Sequence, residues 1–422
     1  MEERVVRAPS RGLTAGHPAW KMAVDIGRRM AVAAMFRISH LNRRDPRIWI
    51  FGNYKGFRDN PRYLAEHIVA TRPDIQAWWI ARRRDEAEAA ASAGLNVAMR
   101  QSREGKKLHQ HAGVAFLSNA FMDLRAGYLG GAFIVHLYHG TALKRILLDT
   151  DLSRMVEDSA LTRAVSRVRR IAVARTFGRI DMIAAAGELA KTRFITAFGL
   201  PPKRIQILGT PRFDVIAGGP AYDRVVHGDL RATLGLTRDQ HVVLWLPTWR
   251  ERGDASWLPT LEVAQVDAAL ADTDAVLVVK THPYSDIAVY RERLPDHPRV
   301  RLLAEAEVDV NSLLTVADTL VSDYSSTIFD YVLLRRPIHF FAPDAADYAG
   351  GRGLYEPYEK LTGGRHHAEW PTLLAAVADS AAGVDAEGMM LMRRVADMAG
   401  NMDAPGSCER IVQAVASAVG LP

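Results

Sequence analysis

Residues 320–341, LVSDYSSTIFDYVLLRRPIHFF, decide the fold prediction. An apolar run ends in Ser-Asp-Tyr-Ser-Ser-Thr, a second apolar run of helical length follows, and a strand-like run comes after Arg-Arg-Pro. This order predicts a strand, a helix and a second parallel strand. The helix would start at Ser325, Ser326 and Thr327, where free backbone N–H groups and hydroxyl donors favour a phosphate. An ordinary helix N-cap is the alternative explanation for these hydroxyls.

The same alternation of short apolar runs and helical stretches extends in both directions along the chain. It predicts two doubly wound, Rossmann-like α/β domains that face a cleft, an N-terminal domain over residues 48–200 and a C-terminal domain over 201–422 with terminal helices. The predicted strands are 47–51, 77–81, 96–99, 114–119, 133–140 and 179–187 in the first half, and 241–250, 275–283, 299–304, 319–326 and 337–344 in the second.

Composition places the chain among ordinary globular proteins. Of its 422 residues, 48% are hydrophobic and 24% are charged, which is typical of soluble domains with sizeable cores. The single cysteine, Cys408, excludes an internal disulfide and indicates a reducing compartment. We expect no transmembrane helix and no signal peptide, because no long uncharged apolar run is present and the start of the chain, MEERVVRAPSRG, lacks an apolar core.

The positive charge is concentrated in two segments. Residues 1–47 hold ten Lys or Arg and four Asp or Glu, which accounts for the whole net charge of +6. Apolar residues recur there at helical spacing, which predicts a basic amphipathic arm at an anionic membrane surface. A helix packed on the protein body is the alternative. A second basic helical insert lies at 143–180, and neither segment has the pattern of a nucleic-acid reader.

Polar residues cluster where the predicted strands end, and ligands of doubly wound sheets bind beyond these ends. Hydroxyls and cations outnumber the Gly, Asn and Asp that a structural turn would favour. Together they predict a diphosphate site, because four cations exceed what one phosphate requires. The donor-side candidates are Thr210, Arg212, Thr248, Arg250, Lys280, Ser322, Asp323, Ser325, Ser326 and Thr327, and the candidates on the acceptor side are Gly140, Thr141 and Lys144.

Two histidines are the candidate catalytic residues. His139 and His282 each end a predicted strand, and one comes from each domain, so they can share a substrate across the cleft. Histidine suits general-base catalysis near neutral pH. Phosphoryl transfer depends mostly on positioning and on charge stabilisation. The sequence does not decide which histidine is the base.

Several other classes lack their motifs. The chain contains no GxxxxGK[ST], no GxGxxG after a strand, no HExxH or paired-cysteine zinc spacing, and no GxSxG. Two Asp-Thr-Asp triplets, at 149–151 and 272–274, resemble metal-binding acid pairs, but neither clearly ends a strand. We therefore predict neither a metal site nor a cofactor.

Seven stretches in this order resemble the CDP-glycerol glycerophosphotransferase family of teichoic acid and related polymer synthesis. They lie between about residues 48 and 415 and read FGNYKGFRDNPRYLAEHI, YHGTALKRI, LGTPRFD, LPTWR, VKTHPY, VSDYSSTIFDYVLLRRPIHFFAPD and DAPGSCERIV. Ala142 stands where the family often has proline, and the arm at 1–47 has no matching stretch.

The resemblance implies a two-domain, glycosyltransferase-B-like fold. It also implies transfer of glycerol phosphate from CDP-glycerol to a hydroxyl of a polyprenyl-diphosphate-linked glycan or a growing poly(glycerol phosphate) chain, with release of CMP. The family's essential histidines fall on His139 and His282, and its donor-diphosphate segment falls on residues 323–326. Members act as peripheral proteins on the cytoplasmic face of the membrane, which agrees with the two basic segments, and a homo-oligomer is possible.

Three alternatives stay open at this point. The donor could be CDP-ribitol or another CDP-alditol, and the reaction could be a priming or a polymerising step. A nucleotide-sugar glycosyltransferase of the same fold would call for a ribose-binding Glu in a late helix, for which Glu359 is a poor candidate. A non-catalytic nucleotide-binding or scaffolding protein is disfavoured by the intact histidine and DYSS motifs.

Overall fold

The computed structural model describes residues 19–150, 160–218, 227–237, 239–250, 263–282, 285–294, 297–303, 308–345 and 353–422. Residues 1–18 of the predicted arm and 151–159 of the predicted insert lie outside this part of the chain.

The first sheet has seven parallel strands in the order β3-β2-β1-β4-β5-β6-β7. Its central strands are rich in Trp, Ile, Val and Phe and are buried on both faces, as strands of a parallel sheet covered by helices must be. The strands are β1 (Asp45–Phe51), β2 (Gln76–Ala81), β3 (Asn96–Met99), β4 (Ala112–Leu117), β5 (Phe133–His136), β6 (Met182–Ala185) and β7 (Ile205–Ile207).

The second sheet has five parallel strands in the order β10-β9-β8-β11-β12. In the middle of this sheet, β8 pairs with both β9 and β11, so that Leu244 lies opposite Val278 on one side and Leu320 on the other. The strands are β8 (His241–Leu246), β9 (Ala275–Lys280), β10 (Val300–Leu303), β11 (Thr319–Ser322) and β12 (Ile338–Phe340).

Helices cover both sheets, and each sheet has apolar clusters on its two faces. The described α-helices are α1 (Ala19–Ser39), α2 (Asp59–Thr71), α3 (Arg84–Ser92), α4 (Arg103–His111), α5 (Ala160–Phe177), α6 (Glu188–Phe198), α7 (Pro211–Ile216), α8 (His227–Thr233), α9 (Val263–Ala269), α10 (Ile287–Arg293), α11 (Val310–Val316), α12 (Ile328–Tyr331), α13 (Tyr358–Thr362), α14 (Trp370–Ala381), α15 (Ala386–Ala399) and α16 (Ser407–Ala418). The predicted fold of two doubly wound domains is confirmed.

Two segments differ from the predicted division at residue 200. Strand β7 pairs with β6, so the first sheet continues past that residue. The last helix, α16, returns to the first domain, where Cys408 and Ile411 join the same apolar cluster as Trp49. Asp214 fixes this return, because its carboxylate accepts the backbone N–H groups of Gly406, Ser407 and Cys408 at 2.7–2.8 Å. Sequence order alone gave no sign that the terminal helix would cross back.

The predicted basic segments both contain long helices, α1 and α5. The end of α1 packs on the first domain, where Phe36 lies against the core and the Ser39 hydroxyl accepts the Gly130 N–H at 2.8 Å. Other apolar side chains of these helices stay exposed, among them Met30, Ile38 and Val168. No helix in the described ranges combines the length and the apolar character needed to cross a bilayer.

Within the described ranges, the contacts between the two domains include two that lie away from the chain crossing at α7. The Tyr63 hydroxyl on α2 donates to the Asp309 carboxylate just before α11. On the other side, residues 143–145 pair with residues 353–355 through backbone hydrogen bonds of 3.0 and 3.1 Å. These contacts hold the carboxyl ends of the two sheets opposite each other.

Candidate active site

The loop after β5 carries His139 in a fixed orientation. The imidazole stacks on Tyr138, with ring centroids 4.2 Å apart, and its Nδ1 lies 3.3 Å from the carbonyl oxygen of Ser118. A carbonyl only accepts, so the neutral ring carries its proton on Nδ1 and leaves Nε2 as a hydrogen-bond acceptor. The Ser118 hydroxyl also donates to the Tyr138 carbonyl at 2.9 Å, which holds the loop in place.

His139 is exposed to solvent, yet its surroundings perturb its pKa. Burial lowers the pKa most; the carboxylate of Asp59 and the hydrogen bond to Ser118 raise it, and the charges of Lys55 and Arg212 lower it. A side chain that is exposed to solvent and also surrounded by many protein atoms, as His139 is, is typical of the wall of an open cleft. The net shift is downward, so the imidazole is neutral at pH 7.

His282 lies at the carboxyl end of β9 in the other domain. Its ring stacks near Trp249 with the centroids 6.3 Å apart, and it is only partly exposed. Burial lowers the pKa of His282 to about 4, and the charges of Lys55 and Lys144 add to the decrease. Both lysines belong to the first domain, so they reach His282 across the cleft. The same Lys55 charge acts on His139 and His282, which places this side chain within reach of both histidines.

The polar stretch after β11 interlocks with the end of β8. The buried carboxylate of Asp323 accepts the Thr248 N–H at 3.0 Å, the Thr248 hydroxyl at 2.5 Å and the Arg250 Nη1 at 2.9 Å. Arg250 also forms a bidentate pair with Asp344, at 2.7 and 3.0 Å. Burial disfavours this cation, but Asp344 and Asp323 outweigh burial and raise the pKa of Arg250. The Arg250 guanidinium therefore holds the strand ends together. Because Asp323 and Asp344 already bind it, we do not expect it to bind the ligand directly.

The three hydroxyls that follow are half-buried at the cleft. Ser325 Oγ lies 2.8 Å from Thr327 Oγ1 and accepts the Thr327 N–H at 3.3 Å, so Ser325 forms the local turn. The predicted helix is shorter than expected: α12 has one turn, a 3-10 turn follows, and Arg335 ends it in the left-handed region at φ 53°. The Thr327 side chain makes no capping bond.

Gly140 lies close to both Arg212 and Ser326. Its φ of +129° is left-handed, and a Cβ there would lie 2.3 Å from Arg212 Nη2 and 3.5 Å from Ser326 Oγ. Only glycine fits this geometry. Gly140 and Ser326, from the HGT and DYSS sequences, therefore meet next to Arg212.

Arg212 is buried between two carboxylates from different domains. Its guanidinium lies 3.1 Å from Asp330 Oδ2 on α12 and 3.8 Å from Asp59 Oδ1 at the start of α2. Burial raises the pKa of Asp330 to about 6, although the Arg212 charge opposes this increase. Asp59 has a left-handed backbone, with φ 60°, a conformation that Asn and Asp adopt more readily than most residues. Asn60 completes the junction by bonding the Arg212 N–H and the Tyr138 carbonyl.

The remaining predicted residues also lie at the strand ends, where the structure shows their burial and few of their contacts. Thr210 and Ser322 are buried, and their hydroxyls make no hydrogen bond within the described chain. Thr141 and Lys280 are also buried, and Lys144 forms an isolated bridge with Leu354. No group of three or more His, Cys, Asp or Glu side chains in the described part of the molecule is arranged to hold a metal ion.

Three residues of the candidate site, Lys55, Asp59 and Asp330, were not predicted from the sequence. Lys55 lies four residues after the end of β1. A search that continued four residues beyond each predicted strand would have included it. Asp59 lies in the stretch FGNYKGFRDNPRYLAEHI, which was recognised as a family match without a role for its acids. Asp330 carried a signal of its own, because it is an isolated acid in the apolar run TIFDYVLL.

Two facing parallel sheets, with polar strand ends from both domains along one cleft, define a glycosyltransferase-B-like α/β protein. Residues 34–417 match the family CDP-glycerol:poly(glycerophosphate) glycerophosphotransferase, and the chain belongs to this family. The family predicted from the sequence is confirmed.

Individual relatives agree with the family assignment. The teichoic acid poly(glycerol phosphate) polymerase of Staphylococcus epidermidis is 28% identical over 75% of this chain and 43% of its own length. The teichoic acid ribitol-phosphate primase of Bacillus spizizenii is 30% identical over 46% of this chain and 49% of its own length. The chain therefore spans less than half the length of these two relatives.

A solved structure of the wall teichoic acid polymerase TagF shares the fold. It superposes with a TM-score of 0.74 at 22% sequence identity, over 95% of this chain and 97% of that one. Another TagF structure was obtained after a soak with CDPG.

Proposed function

We propose that the protein transfers glycerol phosphate from CDP-glycerol to a hydroxyl of a polyprenyl-diphosphate-linked glycan or of a growing poly(glycerol phosphate) chain, and releases CMP. One observation carries the proposal. Two neutral histidines, His139 and His282, come from different domains and both feel the charge of Lys55. This arrangement suits a base on one side and a phosphoryl group on the other. The family and the CDPG-soaked TagF structure support the donor.

In this mechanism His139 is the general base. Its Nε2 accepts the proton of the acceptor hydroxyl while the hydroxyl oxygen attacks the phosphorus that bears the glycerol. The bond from that phosphorus to the bridging oxygen breaks, and CMP leaves with the electron pair. Asp59 supports this role, because a nearby carboxylate stabilises the imidazolium that forms. His282 instead has two lysines nearby, Lys55 and Lys144. Their charges lower its pKa and therefore disfavour an imidazolium at His282.

His282 and the lysines suit the transferred phosphate instead. Lys55 and Lys144 bring two positive charges to the cleft, and a neutral His282 can still donate one hydrogen bond. Charge stabilisation of this kind is the main contribution of proteins to phosphoryl transfer. A bound diphosphate would offset the lysine charges, so we expect donor binding to raise the pKa of His282.

In this proposal the donor diphosphate binds at hydroxyls that follow the strand ends. Ser326 borders the cleft beside Gly140, and Thr327 follows it. The buried hydroxyls of Ser322, at the end of β11, and Thr210, after β7, make no hydrogen bond within the described chain. Asp323, Thr248 and Arg250 would fix this surface through their mutual hydrogen bonds rather than bind the donor themselves.

A CDP-ribitol donor is the second candidate. The relative with the highest identity among those compared above is a ribitol-phosphate primase, at 30% over about half of each protein. Glycerol and ribitol differ in the number of hydroxyl-bearing carbons, whereas the diphosphate and cytidine are the same. The described strand-end residues therefore suit either donor.

The lipid-linked acceptor would bring the protein to the cytoplasmic face of the membrane. We propose that α1 and α5 lie there. Exposed apolar side chains such as Ile38 and Val168 alternate with exposed arginines such as Arg37 and Arg170. Burial and the charge of Arg37 both lower the pKa of Arg179, so two like charges lie side by side, which favours an anionic surface.

The membrane role predicts a vesicle-binding defect without loss of fold. Ile38 and Leu41 are 66% and 87% exposed, so I38E/L41E should leave the core intact and weaken sedimentation with phosphatidylglycerol vesicles on the order of tenfold. The matched control is V384E/M390E, which places the same charges on exposed apolar positions of the second domain. Equal binding by both variants would remove α1 from the membrane contact.

Asp59→Asn tests the support of the base. Asn also tolerates the left-handed backbone at this position, so the change removes charge and keeps the shape. Because the carboxylate raises the pKa of His139, its loss should move the acidic limb of the kcat/KM profile to lower pH. The weaker base should also lower kcat by about tenfold. A lower kcat with an unmoved limb would mean that Asp59 acts only on the fold.

The donor is tested by release of CMP from CDP-glycerol or CDP-ribitol and of UDP from UDP-glucose, each offered with the same acceptor. We expect CDP-glycerol to be the preferred donor and UDP-glucose to give no release. Preference for CDP-ribitol would establish the second candidate, and release from UDP-glucose would move the protein to the nucleotide-sugar glycosyltransferases.

A further inference from the structure

A row of cations continues from the cleft along the carboxyl edge of the first sheet. We call the following side chains the cation row: Lys55, Arg58, Arg82, Arg83, Arg100 and Arg125. They follow β1, β2, β3 and β4, whereas His139 follows β5. In the sheet order β3-β2-β1-β4, the row extends across three strand spacings, about 14 Å.

Contacts among the loops make the row one continuous surface. Arg82 Nη1, after β2, donates to the Met122 carbonyl at 3.1 Å, and Arg100 Nη2, after β3, donates to the Leu124 carbonyl at 3.1 Å. Both therefore reach the same loop after β4. That loop continues to Arg125, whose guanidinium lies over the Tyr128 ring at 4.8 Å.

The loop that presents Lys55 belongs to the same surface. Gly56 lies beside the Arg83 guanidinium, because a Cβ on this glycine would be 3.1 Å from Arg83 Nη2. The loop is held from below: the Tyr54 N–H donates to Asp123 at 2.9 Å and the Lys55 N–H donates to Asn53 at 2.9 Å. Lys55 itself is exposed.

Acids offset only part of this charge. The four segments that leave these strands, 52–58, 82–86, 100–104 and 118–125, hold eight Lys or Arg and four Asp or Glu. Two of the four acids are buried and already bonded: Glu86 accepts the Trp79 indole N–H at 2.8 Å, and Asp123 accepts several backbone N–H groups. Of the two exposed acids, Asp85 already pairs with Arg83 at 3.1 Å. The exposed side of the edge therefore keeps a net positive charge.

We propose that the cation row binds the acceptor chain behind its reacting end, as a subsite for a phosphodiester-linked polyanion. This inference rests on the proposed function. A single lipid diphosphate needs one point of positive charge, whereas a chain with a phosphate in every unit matches an extended row. Arginine suits repeated phosphates, since its planar group forms paired hydrogen bonds with their oxygens. The row begins at Lys55 beside the histidines, so a chain on it would present its terminal hydroxyl to His139.

The test compares acceptors of different length. The variant R82E/R83E reverses two exposed cations that lie outside the catalytic residues. The matched control, R393E/R394E, reverses two neighbouring exposed arginines on α15; Arg394 donates to a carbonyl, as Arg82 does. Each protein is assayed with CDP-glycerol and a lipid-linked acceptor that carries either one or about ten glycerol phosphate units.

We expect R82E/R83E to raise KM for the long acceptor on the order of tenfold at low salt, a difference that high salt should reduce. Its KM for the one-unit acceptor, its kcat and its donor KM should match those of the wild type and of the control. An unchanged KM for the long acceptor, or an equal increase for both acceptors, would overturn the proposal. Loss of vesicle binding at unchanged KM would assign the row to the membrane and overturn it as well.

A direct measurement separates this inference from the proposed function. If the wild type turns over no donor, the proposed function fails. Binding of fluorescent poly(glycerol phosphate) by anisotropy then decides the row independently: weaker binding only by R82E/R83E supports the subsite, and equal binding by all three proteins contradicts it.

Discussion

Replacing His139 by alanine is expected to lower kcat by about a thousandfold while the protein still folds. The imidazole is exposed, so its removal leaves no buried cavity. It is also the ring whose Nδ1 is committed to the Ser118 carbonyl and whose Nε2 remains available to accept a proton. Single-turnover assays with saturating donor would measure the chemical step, and thermal unfolding would verify the fold.

Two comparisons make this prediction specific. His111 is another exposed histidine, at the end of α4 and outside the cleft, so His111→Ala should retain wild-type kcat. His282→Gln should also lose activity, but it should keep the acidic limb of the pH profile, which His139→Ala should abolish. Loss of the limb in His282→Gln and its persistence in His139→Ala would reverse the two roles.

Replacing Arg212 by methionine is expected to lower the thermal unfolding midpoint by about 10 °C. The substitution would leave two carboxylates from different domains without their shared cation, and removing one partner of a buried ion pair costs about 3–5 kcal/mol. Because Arg212 also borders Gly140 and the DYSS loop, donor binding should weaken as well.

The carboxylates supply the control for Arg212. Adding Asp330→Asn to Arg212→Met should recover part of the lost stability, because the neutral amide no longer needs the cation. The pH dependence has a defined sign. Burial raises the pKa of Asp330 to about 6 in the folded protein, above its ordinary value, so between pH 4 and 6 this group makes folding less favourable as pH rises. If Arg212→Met were as stable as the wild type, the ion pairs of Arg212 with Asp59 and Asp330 would contribute little to stability.

The strands of both sheets were predictable because each one has a recognisable local sequence pattern. Runs such as HVVLWL and AVLVVK are apolar, rich in β-branched residues and too short for helices, so each predicts a buried strand without knowledge of its neighbours. The site followed from the same pattern, since parallel strands bring their carboxyl ends to one edge. His139, His282 and the DYSS segment were predicted as candidate site residues in this way.

The electrostatic organisation was not predictable, because it depends on contacts between distant parts of the chain. The carboxylate partners of Arg212 are at positions 59 and 330, far from it in sequence. One of the two carboxylate partners of Arg250 is at position 344. From sequence, both arginines read as open cations for a diphosphate, yet the structure gives each of them two carboxylates. Lys55 shows the opposite case, a loop residue without a motif that the fold carries to both histidines.

The most direct test of the central claim is the mass of the acceptor after reaction. Purified protein would be incubated with CDP-glycerol and a polyprenyl-diphosphate disaccharide analogue, with and without one glycerol phosphate already attached, and the lipid product would be analysed by mass spectrometry. The proposed function predicts an increase by whole glycerol phosphate units with one CMP released for each, and no increase with His139→Ala. An acceptor of unchanged mass with both analogues and with every CDP-alditol supplied would contradict it.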